Sequence, residues 1–295
     1  SYIHSPSFRR MPESSNRVKI NIWMTRYARP VGRPPGVQRA VRFARNDESI
    51  SFPGNPCGRE YPVLMKKAAI LQGVYQQLYS HYGPQHWWPA DSPFEVMVGA
   101  VLTQNTAWSN VEKAITNLQE HQALDPAVIV SASRDELAHW LRPSGYFNVK
   151  ASRLQHLCTW YIEAGGYDSL VQLDTASLRQ ALLSVHGVGP ETADDILLYA
   201  FERPVFVIDA YTRRLFARLG LFKGAEPYEA MRARVEESLG QDVGLFNEFH
   251  ALIVHHAKEF CRVRPRCTGC TLSACCPAYY GDPADWASIS ARLQS

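Results

Sequence analysis

The chain has 295 residues, of which 46% are hydrophobic and 20% charged, a composition that excludes a fibrous or wholly disordered protein. No apolar run approaches the roughly eighteen residues of a membrane span, so we expect a soluble protein with no membrane partner. The net charge of +3 is unevenly distributed: residues 1–62 carry eleven basic and four acidic residues, and residues 63–295 carry twenty and twenty-four. The foldable part is therefore mildly acidic, and any binding of nucleic acid must come from local sites.

Residues 1–62 are predicted to be a disordered basic leader. They hold eight of the nineteen prolines and show no sustained periodicity, so they cannot bury enough apolar surface to offset the entropy of ordering. The composition loosely suits an organelle transit peptide, but an extension without function, ahead of a natural start at Met65, is the simpler interpretation. The tail 281–295 carries no functional signal.

From Leu64 onward the pattern predicts an all-α protein of about ten helices. Ser92 followed by Pro93 predicts a helix over 94–103, and Ser133 with Glu136 has the spacing of a capping box. The stretch 205–208 is β-branched, but it is more simply an extended linker than a strand. The remaining helices are predicted from about 106 to 121, before Pro143, and over 147–164, 175–185, 191–201, 210–219, 228–239 and 245–260.

Two glycines stand between consecutive predicted helices, in the order Gly187-Val188-Gly189-Pro190. Glycines let a backbone approach another surface closely, and the free N–H groups at a helix start favour an anion. Such a hairpin could hold a DNA phosphate through Gly187 and Gly189 without a basic side chain. A plain tight turn is the alternative interpretation.

Asp209 ends the apolar stretch 205–208 and begins a helix whose next turn carries Arg213 and Arg214. An ordinary helix N-cap would explain it. The order of hairpin, helix, apolar stretch and Asp209, however, resembles the helix-hairpin-helix/Gly-Pro-Asp (HhH-GPD) superfamily of DNA glycosylases, to which endonuclease III belongs. The resemblance covers roughly 65–280. It implies a two-lobed helical fold with DNA across the cleft, one lobe being 88–200 and the other 65–87 together with 201–260.

Five of the seven cysteines fall within sixteen residues, which favours a metal or cluster in a reducing, intracellular compartment over a disulfide framework. The spacing suits zinc or an iron–sulfur cluster. Cluster-bearing endonuclease III-like enzymes have a similar loop at this place in the chain, so the resemblance implies a structural [4Fe-4S] cluster in the loop 261–280. The first gap is five residues where that family usually has six, and Cys275 is an alternative fourth ligand. The implied ligands are Cys261, Cys267, Cys270 and Cys276, in a loop whose Arg262, Arg264 and Arg266 either contact phosphates or remain solvated.

Glu191 stands where bifunctional members of the superfamily have the lysine that attacks the sugar. A carboxylate cannot form an imine, so we expect AP lyase activity to be absent or weak. Cleavage of an N-glycosidic bond builds positive charge on the sugar, which a fixed carboxylate can stabilise while it orients a water. Asp209 is therefore the predicted catalytic residue of a monofunctional glycosylase.

The segments Trp87-Trp88-Pro89 and Gln104-Asn105-Thr106-Ala107-Trp108 resemble the 3-methyladenine DNA glycosylase branch of the superfamily. In that branch such aromatics line the base pocket, where a cationic ring would stack on indoles, and the Gln-Asn segment enters the duplex. The alternative for the tryptophans is core packing, and the alternative for Lys258 is an ordinary surface charge. The implied pocket residues are Trp87, Trp88, Pro89, Trp108, Glu191 and Lys258, and the implied DNA wedge is Gln104 or Asn105.

The resulting hypothesis is a monofunctional glycosylase of base excision repair that hydrolyses the bond to a flipped, 3-methyladenine-like base. The expected partner is double-stranded DNA with a damaged base, and the expected protein is a monomer of the cytoplasm or nucleoid. The alternatives are a bifunctional endonuclease III-type glycosylase and AP lyase acting on oxidised pyrimidines, and a non-catalytic helix-hairpin-helix DNA-binding protein.

Overall fold

A computed structural model describes residues 63–281, with side chains from residue 68 onward. This part of the chain contains helices and no β-strand, so the prediction of an all-α protein is confirmed for it. The predicted leader 1–62 and all but the first residue of the tail 281–295 lie outside the described residues. No helix between 63 and 281 is long and apolar enough to cross a membrane.

The helices follow one another with short connections. In chain order they are α1 (Val63–Tyr82), α2 (Pro93–Leu102), α3 (Trp108–Glu120), α4 (Pro126–Ser131), α5 (Arg134–Trp140), α6 (Phe147–Glu163), α7 (Gly166–Leu170), α8 (Thr175–Leu183), α9 (Pro190–Tyr199), α10 (Ala210–Arg218), α11 (Tyr228–Leu239), α12 (Val243–Glu259) and α13 (Pro277–Tyr280), with 3₁₀ turns at Arg142–Ser144 and Ser273–Cys275.

The helix starts follow from capping residues in the sequence. Ser92 Oγ accepts from the Glu95 amide at 3.1 Å, and Ser133 Oγ accepts from the Glu136 amide at 3.2 Å. Each bond satisfies one of the amides that a first helical turn leaves without a partner. The predicted starts of α2 and α5 are therefore correct, and residues 205–208 form a linker that is neither helix nor strand, as predicted.

Two separate groups of buried apolar side chains hold the helices together. One group is built from residues between Val96 and Val205, and the other from α1 together with residues between Leu198 and Leu272. This distribution is what the two-lobe hypothesis expects, although the lobe boundaries stay a prediction. Asp209 directly follows 205–208, the linker through which the chain passes from the first group to the second.

A buried ion pair fixes the hairpin helix α9 against its neighbours. Asp194 is fully buried, and its carboxylate accepts from Arg179 of α8 at 2.6 Å. Arg179 also pairs with Glu229 of α11 at 2.6 Å. Because a buried carboxylate is costly without its partner, this contact holds α8, α9 and α11 in one arrangement.

Candidate active site

The hairpin between α8 and α9 has the backbone that its glycines predict. Gly187 has φ of +91°, and a Cβ atom there would lie 2.3 Å from Cγ of Arg153, so only glycine fits. Gly189 is the N-cap of α9 and offers no side-chain bond to the first turn. Pro190 has no amide hydrogen, so the amides of Glu191 and Thr192 are the donors left for an external acceptor such as an anion.

Asp209 is the N-cap of α10, and its side chain is 13% exposed. One oxygen accepts from the Thr212 amide at 2.7 Å, and the other lies 3.6 Å from Nε2 of His250. Burial would raise the pKa of this carboxyl, but His250 and Thr212 outweigh it and hold the pKa below its ordinary value. Asp209 is thus a fixed, ionised carboxylate at neutral pH.

His250 and Tyr199 connect this carboxylate to the aromatic side chains. The Tyr199 hydroxyl lies 2.6 Å from Nδ1 of His250, while Nε2 of the same ring faces Asp209. If the tyrosine donates to Nδ1, the proton of a neutral His250 sits on Nε2, toward the carboxylate. Neither residue was predicted from the sequence, since each lies within a helix in an apolar pattern that is also typical of core packing.

Three tryptophans form one cluster at the end of this chain of contacts. The ring of Trp88 lies 5.3 Å from Trp87 and 5.2 Å from both Trp108 and Tyr199, measured between centroids. All three indoles are half-buried and Trp88 packs on Gly99, while Pro89 is exposed. The predicted aromatics are thus brought together and joined through Tyr199 and His250 to Asp209.

Glu191 and Lys258 both interact electrostatically with Asp209. Desolvation by surrounding protein atoms and the charge of Asp209 raise the pKa of Glu191 to about 7, although the residue keeps an exposed surface. Desolvation lowers the pKa of Lys258, against the opposing charge of Asp209, and Nζ lies 5.9 Å from the centre of the Tyr211 ring. Glu191 and Asp209 are therefore two interacting carboxyl groups whose pKa values are shifted in opposite directions.

The two candidate wedge residues have different surroundings. Nε2 of Gln104 donates to the Gly187 carbonyl at 3.1 Å and to the Thr192 hydroxyl at 2.9 Å, and Arg153 donates to its Oε1. Asn105 is exposed and has φ of +53°. The arrangement favours Asn105 as the residue free to leave the surface, with Gln104 fixing the loop to the hairpin.

A buried lysine fastens this loop to a second exposed one. Lys150 is 1% exposed, and its Nζ donates to the carbonyls of Leu102 at 2.9 Å and Ser144 at 2.7 Å, and also to the Thr106 hydroxyl. Desolvation, with a smaller contribution from Arg153, lowers its pKa to about 8. The neighbouring Tyr146 is 73% exposed, with φ of +46°. Asn105 and Tyr146 are therefore two exposed residues with left-handed backbone conformation, one in each of the two loops that Lys150 joins.

The cysteine loop surrounds a small cavity of about 30 Å³. Arg218 donates to Cys261 Sγ at 3.2 Å, and His256 Nε2 lies 3.4 Å from Cys270 Sγ. Cys275 does not line the cavity, and its Sγ lies 3.4 Å from the Leu272 carbonyl. Within 63–281 no three metal-binding side chains converge as a single-ion site requires. The cavity is nevertheless lined by all four predicted ligands, Cys261, Cys267, Cys270 and Cys276.

Comparison with known proteins gives a consistent result. Residues 98–241 match the family described as "HhH-GPD superfamily base excision DNA repair protein". "Putative DNA repair glycosylase MJ1434" of Methanocaldococcus jannaschii is 43% identical over 213 residues, which are 71% of this chain and 97% of that protein. Endonuclease III of Thermotoga maritima is 29% identical over 191 residues, 63% of this chain and 84% of its own length.

Solved structures resemble the fold as well. The crystal structure of H. pylori 3-methyladenine DNA glycosylase (MagIII) bound to 1,N6-ethenoadenine has a TM-score of 0.57 at 29% identity, covering 65% of this chain and 97% of that one. A non-covalent endonuclease III–DNA complex has a TM-score of 0.63 at 20% identity, covering 72% and 96%. The second likeness concerns the fold alone.

Proposed function

The chain belongs to the HhH-GPD superfamily of base excision DNA repair proteins, and from this premise we propose that it is a monofunctional glycosylase that removes an alkylated, 3-methyladenine-like base from DNA. The observation that carries the proposal is the continuous contact from the tryptophan cluster through Tyr199 and His250 to an ionised Asp209. A carboxylate, an aromatic surface and a backbone able to hold a phosphate are the three parts that hydrolysis of a flipped nucleotide needs.

Asp209 performs the central step. Its charge stabilises the positive character that develops on the sugar as the glycosidic bond breaks, and its free lone pairs orient a water for attack. The bonds from Thr212 and the contact with His250 keep the carboxylate ionised and in one position. Because these groups are in place before the substrate binds, little reorganisation accompanies the reaction.

The tryptophan cluster is the proposed base pocket. A cationic ring is attracted to the faces of Trp87, Trp88 and Trp108. The ionised Asp209 adds negative potential, and Glu191 adds to it as its carboxyl ionises above about pH 7. An alkylated purine already carries the positive charge that makes it a good leaving group. This argument, together with the 29% identity to the 3-methyladenine glycosylase of H. pylori, supports the substrate class.

The DNA strand is proposed to bind along the hairpin. A phosphate contacts the free amides at the start of α9, while Asn105 and Tyr146 reach toward the duplex at the gap left by the flipped base. Tyr146 has the exposed aromatic ring that stacking on a base requires. Tyr146 was not predicted from the sequence, because a tyrosine beside a helix start carries no local signal of a DNA contact.

The four cysteines that line one cavity are proposed to hold a [4Fe-4S] cluster, with zinc as the alternative. The guanidinium of Arg218, which donates to Cys261 Sγ, and the ring nitrogen of His256 beside Cys270 Sγ suit thiolate ligands of either group. Bound there, the cluster would supply a covalent brace for the loop rather than a step of the reaction. Cys276 is the favoured fourth ligand because it lines the cavity and Cys275 does not.

The decisive experiment is an excision assay with the purified full chain on duplexes that carry a panel of single lesions. The panel contains alkylated purines, 1,N6-ethenoadenine, an oxidised pyrimidine and uracil. We expect release of the alkylated base, and no release of any alkylated base would overturn the proposed specificity. Asp209→Asn should lower the rate by about 10²–10⁴-fold with DNA binding retained; unchanged turnover would favour a non-catalytic DNA-binding protein.

The relatives named endonuclease III favour one other candidate, a bifunctional enzyme acting on oxidised pyrimidines. Borohydride reduction separates the two, because only an imine between enzyme and sugar is trapped as a covalent adduct. We expect no adduct, since Glu191 cannot form an imine. A trapped adduct together with release of an oxidised pyrimidine would replace the proposal by this candidate.

A further inference from the structure

An open groove next to the hairpin carries basic side chains that the proposed reaction does not use. Its volume is about 500 Å³, and its walls come from the start of α5, the first turns of α6 and the residue before Gly187. The basic members are Arg134, Arg153 and His186. Asp135 is the acidic member, so the groove has a net positive charge even with His186 neutral.

Two contacts place the guanidinium groups of this groove. Nη2 of Arg134 lies 3.4 Å from the Ser152 hydroxyl, which also lines the groove. The aliphatic part of Arg153 lies across Gly187, and its Nη1 donates to Gln104. Among the described residues, Arg134 has no carboxylate within ion-pair distance, so its charge is available to an external anion.

The groove adjoins the hairpin because His186 directly precedes Gly187 and the Arg153 side chain packs against Gly187. The ring of His186 stands 5.0 Å from that of His156, and both rings are exposed. A strand whose phosphate is held by the amides of α9 therefore passes directly beside this second positive surface. Guanidinium groups recognise phosphate oxygens in a fixed fork geometry, and the Asn148 amide and Ser152 hydroxyl add neutral donors.

We infer that this groove, formed by Arg134, Arg153 and His186, binds a further phosphate of the DNA backbone, next to the one held by the hairpin. The inference rests on the proposed function in that DNA is the ligand. Binding there would extend the DNA-binding surface along the strand. The folded part of the protein is acidic overall, so the positive groove would supply a local attraction to DNA that the net charge does not. Arg134 carries the contact most cleanly because it makes no bond to the hairpin loop.

The test compares Arg134→Gln with the matched control Arg234→Gln, which removes an exposed arginine of α11 that lies outside the groove. DNA affinity is measured for undamaged and lesion-containing duplexes at several salt concentrations. Loss of one phosphate contact should make the slope of log affinity against log salt shallower by about 0.9, equally for both duplexes. Arg234→Gln should leave the slope at the wild-type value.

The phosphate is then located by replacing single linkages with neutral methylphosphonate. At one position the wild-type protein should lose affinity on the order of tenfold, and Arg134→Gln should lose nothing further there. An unchanged salt slope, or equal sensitivity of both proteins at every position, would overturn the inference. Competition by millimolar inorganic phosphate that is equal for both proteins likewise contradicts it. The two proposals can fail independently. Normal release of the lesion with no change in the salt slope rejects phosphate binding in the groove alone. A changed slope without any excision rejects the proposed glycosylase function alone.

Discussion

Gly99 offers a direct test of whether Trp88 shapes the base pocket. A Cβ atom at this position of α2 would lie 3.0 Å from Cζ2 and 3.2 Å from Nε1 of Trp88. Both distances are shorter than ordinary van der Waals contact, so the indole must move in Gly99→Ala. Since Trp88 contacts two other tryptophans and Tyr199, its movement changes the packing of the cluster.

The magnitude follows from a matched pair of substitutions. Gly73→Ala in α1 has nothing within 4 Å of the new methyl group, so it gains about 1 kcal/mol of helix propensity without crowding. Gly99→Ala gains the same amount but suffers overpacking of about 1–3 kcal/mol. The difference between the two variants in free energy of unfolding therefore isolates the crowding, and we expect Gly99→Ala to be the less stable by that amount.

Activity should separate the two variants further. A misplacement on the order of 1 Å can cost about 100-fold in rate. The Trp88 indole must move by a few tenths of an ångström in Gly99→Ala, so single-turnover excision should fall severalfold. Binding to duplex DNA that carries an abasic site should be unchanged, because no base fills the pocket. If Gly99→Ala excises the lesion as fast as Gly73→Ala, Trp88 is a core residue and the pocket lies elsewhere.

Three further predictions concern the carboxyl groups and the cysteines. Glu191 keeps its proton to about pH 7 in the folded protein and to about pH 4.5 in the unfolded chain, so its ionisation destabilises the fold as pH rises through this window. The melting temperature of Glu191→Gln minus that of wild type should therefore be higher at pH 8 than at pH 5. A difference that stays constant with pH would contradict the raised pKa. Removal of His250 leaves desolvation to dominate at Asp209, so the acidic limb of the rate profile of His250→Gln should move to higher pH, with an unmoved limb as the contrary result. Cys276→Ser should lose visible absorbance and bound iron, whereas Cys275→Ser should keep both; colourless wild-type protein containing zinc would reject the cluster.

Local sequence was sufficient for the features that depend on neighbouring residues. The caps Ser92 and Ser133, the turn at Gly187 and the N-cap at Asp209 each act within three or four positions along the chain, so residue type and spacing define them. The helices α4 and α7 were not predicted, because five or six residues are too few to show a 3.6-residue period.

The contacts that complete the candidate site depend on folding over long separations. His250 meets Asp209 across 41 positions, and Arg153 meets Gln104 across 49. A histidine in an apolar helix or an arginine on a polar face has no local signal that distinguishes a site residue from an ordinary one. Only packing of the helices identifies these partners, and it also separates the tethered Gln104 from the free Asn105.

The single ammonium of Lys150 has a consequence for how damage could be found. Since it binds the Leu102 carbonyl and the Thr106 hydroxyl on one side and the Ser144 carbonyl on the other, it ties the loop that carries Asn105 to the loop that carries Tyr146. A DNA duplex bound against these two tied loops either fits between them or resists doing so. The stiffness of each base-pair step, rather than its chemical identity alone, would then decide where the protein pauses as it slides along DNA.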